Sequence, residues 1–275
     1  MIRLERQRTA AAIKVGYRGQ NRIRRERELL DRHLAQEKPR SAVWRGAKDQ
    51  LRSESGGKCA YCEGKAEHVA HGDVEHFRPK SKYWWLAYCY DNFLYSCQIC
   101  NQSHKSNHFP PHHQPRLPEP ALPPTPRPAD LDDLAGTLAP DPLDTTAVDQ
   151  FRSDCRAEGA HLLNPYEEDP EALFAWRADS VLREVELVQR DASSGSAAAL
   201  EAAETFLGLN RDELKRWRWE VYETAETLAL TVLSGRLQPA LRRRIEDKLQ
   251  RMMSTEGEFA GMVRFLVREN LGLAL

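Results

Sequence analysis

Two CxxC pairs constrain this chain more than any other feature. Cys59-Ala-Tyr-Cys62 and Cys97-Gln-Ile-Cys100 are separated by 34 residues. Two such knuckles bring four thiolates to the corners of a tetrahedron, the closed coordination of structural zinc. A redox dithiol is the competing reading of one CxxC, but it leaves the second pair unexplained. A structural Zn2+ on Cys59, Cys62, Cys97 and Cys100 is therefore expected, tying together the two ends of a long insert. Cys89 and Cys155 have no partners at such spacing and read as small apolar residues.

The insert is polar where a core would not be. The stretch DVEHFRPKSKYWW (73–85) sets Asp73 and Glu75 beside His76, then adds Arg78, Lys80 and Lys82. Buried charges need partners, so this density suits a site that holds a metal and a phosphate. Histidine titrates near neutral pH and can serve as a general base. For Arg78 and Lys80 two readings stand, contact with a phosphate backbone or plain solvation. Tyr83, Trp84 and Trp85 read as packing that shapes a small zinc-stapled core, with base stacking as the sharper alternative. His68, His71, His108, His112 and His113 crowd the same region without motif positions.

Composition narrows the class. With 41% hydrophobic and 29% charged residues the chain reads as soluble and globular, and no apolar run approaches a bilayer span. The N-terminus lacks the apolar stretch of a signal peptide, so a cytoplasmic location is expected, where thiols stay reduced and paired cysteines hold metal. The net charge of −1 conceals an asymmetry: residues 1–52 carry fifteen Lys/Arg against six Asp/Glu. That basic arm either follows nucleic-acid phosphates or is a solvated helix face.

Periodicity predicts a helix over 20–34 with Ile23, Leu30 and Leu34 on its apolar stripe, and a second from Ser41 to the stop at Gly56-Gly57, carrying Trp44, Ala47 and Leu51. Eleven of the sixteen prolines fall in 110–142, which predicts a long, partly extended excursion. Short strands and turns follow near 160, and helices from Ser196 onward. Asn210 reads as an N-cap with Glu213 three residues on, ahead of a face formed by Leu214, Trp217, Val221 and Ala225. Pro239 suits the first turn of another helix, and a last one includes Phe259, Val263, Phe265 and Leu266. Four regions result: 1–57, basic and helical; 58–109, the zinc-clipped core; 110–142, a proline-rich linker or insertion; 143–275, mainly helical.

CAYCE, DVEHFRPK and DNFLYSCQICNQSHK together resemble the HNH endonucleases with a ββα-metal core. With LLNP (162–165) and LGLNR (207–211) added, the chain is similar to the PtuB-type HNH nucleases of Septu and retron anti-phage systems. The resemblance implies an α+β fold, a small ββα-metal core embedded in a mainly helical chain. It implies His76 as the general base, Asn92 as the residue that fixes the loop behind it, and Glu75 and Asn101 as ligands of a catalytic Mg2+ or Mn2+. His104 and Lys105 would follow on the same helix, His104 joining the metal or a phosphate and Lys105 the substrate. An amide at Asn101 in place of a histidine suits a hard, oxygen-preferring ion. The implied activity is hydrolysis of DNA phosphodiesters in phage defence, beside an ATPase partner. Two other readings stay open: a zinc-ribbon nucleic-acid-binding or adaptor protein without cleavage, and a stand-alone restriction-type endonuclease.

Overall fold

Helix α1 (Gly19–Leu34) forms where the apolar stripe places it, burying Leu29 and Leu30. Leu34, expected on that stripe, is exposed at its end. The second expected helix is two, α2 (Ser41–Arg45) and α3 (Lys48–Glu54). The break has a local cause. The Tyr17 hydroxyl donates to the Val43 carbonyl, and the turn tightens so that the Ala47 amide bonds Trp44 O at 2.9 Å. The computed structural model describes residues 1–65, 72–109 and 116–275, so His68, His71, His112 and His113 lie outside the described residues.

Strands β1 (Asp73–His76) and β2 (Phe93–Ser96) pair antiparallel, Asp73 opposite Ser96 and His76 opposite Phe93. The Ala60 amide bonds Tyr95 O at 2.9 Å, which fastens the first knuckle to β2. A seven-residue π-helical segment, α4 (Ile99–Lys105), follows the second knuckle. Strand, strand and short helix thus succeed one another, with α3 packed against both strands.

The proline-rich stretch is not extended throughout. Its described part contains α5 (Pro128–Thr137), where Pro128 fills the first helical turn and Asp130 reaches back to the Arg127 amide. A proline there forfeits no helical hydrogen bond, so counting prolines without their positions hid the helix. Helix α6 (Thr145–Ala157) follows, capped by the Asp144 carboxylate on the Ala147 amide, earlier than order was expected to resume.

The expected short strands are β3 (Phe174–Asp179) and β4 (Glu184–Gln189), an antiparallel hairpin. Helices α7 (Ser194–Leu207), α8 (Asp212–Leu233), α9 (Pro239–Met253, with Pro239 in its first turn) and α10 (Ala260–Arg264) follow, the last running on into a π-helical segment, Phe265–Asn270. Asn210 does not cap α8; Arg211 holds the N-cap position, with no side-chain capping bond. The Asn210 amide instead bonds both the N–H and the C=O of Leu187, each at 2.8 Å, as a neighbouring strand would. One hydrophobic cluster joins Ile13, Leu51, Tyr95, Leu163, Leu214 and Leu266. The described molecule is a mixed α and β structure, mostly helical with two small sheets. No described helix is long and apolar enough to cross a membrane.

Candidate functional site

Cys59, Cys62, Cys97 and Cys100 are all buried, unlinked by disulfides, and their Sγ atoms lie within 4.8 Å of one another. The knuckles are shaped by backbone bonds, Cys59 N–H to Gly64 O at 2.9 Å and Glu63 N–H to Cys59 O at 3.0 Å. The Cys100 amide points at Cys97 Sγ, 3.4 Å away. Four thiolates on a divalent ion leave two negative charges, which burial makes costly. Two guanidiniums from the far end of the chain offset them. Arg211 Nη1 lies 3.9 Å from Cys100 Sγ, and the buried Arg218 is close enough to feel the Cys62 thiol. Burial nevertheless lowers the Arg218 guanidinium to about 10. The cluster can hold a metal ion such as zinc.

Beside this clip opens a cavity of about 410 Å3 lined by Asp73, Glu75, His76, Lys80 and Asn101, together with Trp44 and Arg45 of α2. Glu75 is buried, and burial raises its carboxyl while Lys105 draws it back down. The Lys105 ammonium is wholly buried, ion-paired to Glu75 and donating to His76 O at 3.0 Å. Burial lowers the ammonium below its ordinary range and Glu75 opposes that.

His76 is held on three sides. Its ring meets Trp44 edge-on at 5.0 Å and Phe93 at 5.1 Å, and Nε2 lies 3.0 Å from Ala87 O. A carbonyl can only accept, so Nε2 carries the proton and the neutral ring keeps its free lone pair on Nδ1. Burial pushes the imidazole down to about 3, so the ring is neutral at physiological pH. Asn92 organises the loop that supplies Ala87. Its Oδ1 accepts from the Arg78 amide at 2.8 Å, and its Nδ2 donates to the carbonyls of Arg78 at 2.9 Å and Leu86 at 3.3 Å.

Other predicted residues are placed differently. Arg78 is buried, its Nε on Glu158 at 2.8 Å and its Nη2 on Cys155 O at 3.0 Å, so it has no exposed donor for a phosphate. Lys105 is excluded from substrate contact by its burial against Glu75. His104 does not line the cavity; it packs where a Cβ on Gly208 would collide with it, beside Arg211. Lys80 alone of the three expected substrate cations reaches the cavity, its ammonium 5.4 Å from the Trp44 ring centroid. Sequence reasoning gave Trp44 and Arg45 no site role and placed Asp73 only in the charged stretch, without a role of its own. Asp73 was legible as the residue two before Glu75, on the same side of a strand; Trp44 and Arg45 carry no signal beyond a helical stripe.

Glu75 and Asn101 line one cavity, and a carboxylate and an amide are the kinds of oxygen donor a hard divalent ion takes, although Lys105 already pairs with Glu75. The two satellite motifs brace this assembly. LLNP presents Tyr166, whose hydroxyl donates to Glu54 at 2.9 Å beneath the Arg6 guanidinium. LGLNR supplies the left-handed Gly208 and the Arg211 that reaches Cys100.

No protein-family model matches the chain, and no solved structure matches it. The Septu protein PtuB of Bacillus mycoides (strain KBAB4) is 41% identical over 76 aligned residues, covering 23% of this chain and 26% of the relative. The match therefore spans about a quarter of that curated relative's length. Over that stretch the chain is similar to a Septu protein.

Proposed function

We propose that the chain is a metal-dependent HNH-type endonuclease that hydrolyses DNA phosphodiesters in a Septu-like anti-phage system, acting with an ATPase partner. The observation that carries this reading is His76: a neutral imidazole with Nε2 tied to Ala87 O, set in a cavity shared with Glu75 and Asn101. In that role His76 Nδ1 takes the proton from an attacking water. Asn92 keeps the loop behind the ring in place, so the lone pair stays aimed. Glu75 and Asn101 would hold the divalent ion, which when bound supplies charge stabilisation for the phosphate and the leaving oxygen. Lys80 is placed to receive a phosphate. The four cysteines and their zinc hold strands and helix in register without touching the reaction. The partial similarity to a Septu protein supports the defence setting.

The test is DNA cleavage by purified full-length protein with Mg2+ or Mn2+, with and without a candidate ATPase. His76→Ala should lower the rate by at least about a hundredfold, the usual worth of a general base, with zinc content unchanged. Cleavage at the parent rate by a contaminant-free His76→Ala preparation would falsify the assignment. No cleavage by the parent chain in any combination, with binding retained, leaves an adaptor.

A further inference from the structure

Helix α2 stands outside the strands and knuckles, yet it supplies part of the cavity lining. Trp44 is half-buried there, edge-on to His76, with the ammonium of the exposed Lys80 over its ring, a cation that must move aside for a base to take its place. Arg45 is exposed next to it and steadied by Ser41, with Nη2 2.7 Å from Ser41 Oγ. An indole and two cations thus share a cavity with Asp73, Glu75 and Asn101. Part of the indole packs against the core beside Tyr88, and the rest lines the cavity, where any nucleobase has a face that can lie on it. The cavity, about 410 Å3, is the size of a pocket for one small ligand. It has room for roughly one nucleotide.

We propose that Trp44 is a stacking platform for the base beside the scissile phosphate, that Arg45 and Lys80 hold the flanking phosphates, and that the preferred substrate is an unpaired strand. The proposal rests on the nuclease reading above. A base can lie on an indole only after leaving its duplex neighbours, and a single strand has already done so.

Binding of labelled oligothymidylate and of a blunt DNA duplex to the full chain carrying His76→Ala, in Mg2+, tests this apart from cleavage. The single strand should bind at least about tenfold tighter than the duplex. Adding Trp44→Ala should weaken single-strand binding about tenfold, the scale of one lost base–aromatic stack, with duplex binding changed less than about twofold. Trp44→Phe should keep most of the affinity, since a smaller aromatic still stacks. Arg45→Ala should weaken both ligands and lower the salt slope by about one. Zinc content measured on each variant separates lost contact from lost fold. A duplex preference, or equal losses for Trp44→Ala and Trp44→Phe with zinc retained, overturns the proposal. Single-strand binding as expected by a parent chain that cuts nothing sinks the nuclease reading and leaves the stacking surface standing.

Discussion

His76 owes its role to what its ring cannot do. With Nε2 bound to a carbonyl and the ring packed between Trp44 and Phe93, it is held in one tautomer, which leaves Nδ1 free for chemistry. Lys105 is the opposite case, a cation that looks exposed in sequence and is wholly enclosed by Glu75. Removing one member of a buried pair typically costs about 3–5 kcal/mol because the other is left uncompensated. Lys105→Met should therefore lower the melting temperature, and Mg2+ should restore more of it than it adds to the parent, since the ion takes over the charge of Glu75. An equal Mg2+ response in both chains would place the divalent ion elsewhere. Glu26 on α1 is a second buried carboxyl, with neither oxygen hydrogen-bonded among the described residues, and burial raises it from 4.5 to about 8. The folded state then binds that proton more tightly than the unfolded chain. Stability from this group is present below about pH 4.5 and is lost as pH rises through about 8. Glu26→Gln should flatten that slope and stabilise the protein at pH 9 by a few kcal/mol, since each tenfold change in proton affinity is worth about 1.4 kcal/mol. Urea unfolding at pH 5 and pH 9 reads it. The motif residues were legible because their spacing is local. Arg78 was not, because its partner Glu158 lies 80 positions away and nothing nearby forecasts it.

At the scale of elements, the knuckles, the β1–β2 hairpin and α4 are one piece. Cys100, Asn101 and Lys105 all sit on α4, so the metal clip and the cleft share a single seven-residue segment. Cys59→Ser should release the zinc and lose the native fold together, since metal-binding energy is folding energy in such a core. Elemental analysis of the parent should find about one zinc per chain; a folded, active, zinc-free protein would remove the clip from the account. The sequence made this piece readable because each CxxC marks its own turn. It concealed α5, where Pro128 starts a helix inside a stretch whose composition argued against one. It also misjudged Asn210, whose amide completes the edge of β4 through a contact 23 residues back in the chain.

Over the whole molecule, the C-terminal helices are not a detachable module. Arg211 and Arg218 neutralise the clip, Gly208 seats His104, and Leu214 and Leu266 belong to the same hydrophobic cluster as Tyr95. Deleting 196–275 should therefore lose zinc and tertiary structure together, visible by elemental analysis and near-ultraviolet dichroism. A truncated chain that keeps its zinc would show that the clip stands without these helices. Part of the basic arm is likewise spent internally. Arg6 pairs with Glu54, Arg8 with Asp91 and Arg27 with Asp132. Its charge excess, plain in the sequence, says little about substrate, because the acids that answer it come from elsewhere in the chain.

The grip of Glu158 on Arg78, Tyr83 and the Leu117 amide constrains how such genes can be shuffled. A crossover falling between positions 79 and 157 of two diverged relatives would inherit a cation from one parent and its counter-ion from the other. Viable chimeras should have breakpoints outside that interval, and a swap of the zinc-clipped segment alone should succeed only when the donor of the remainder also carries an acid at 158.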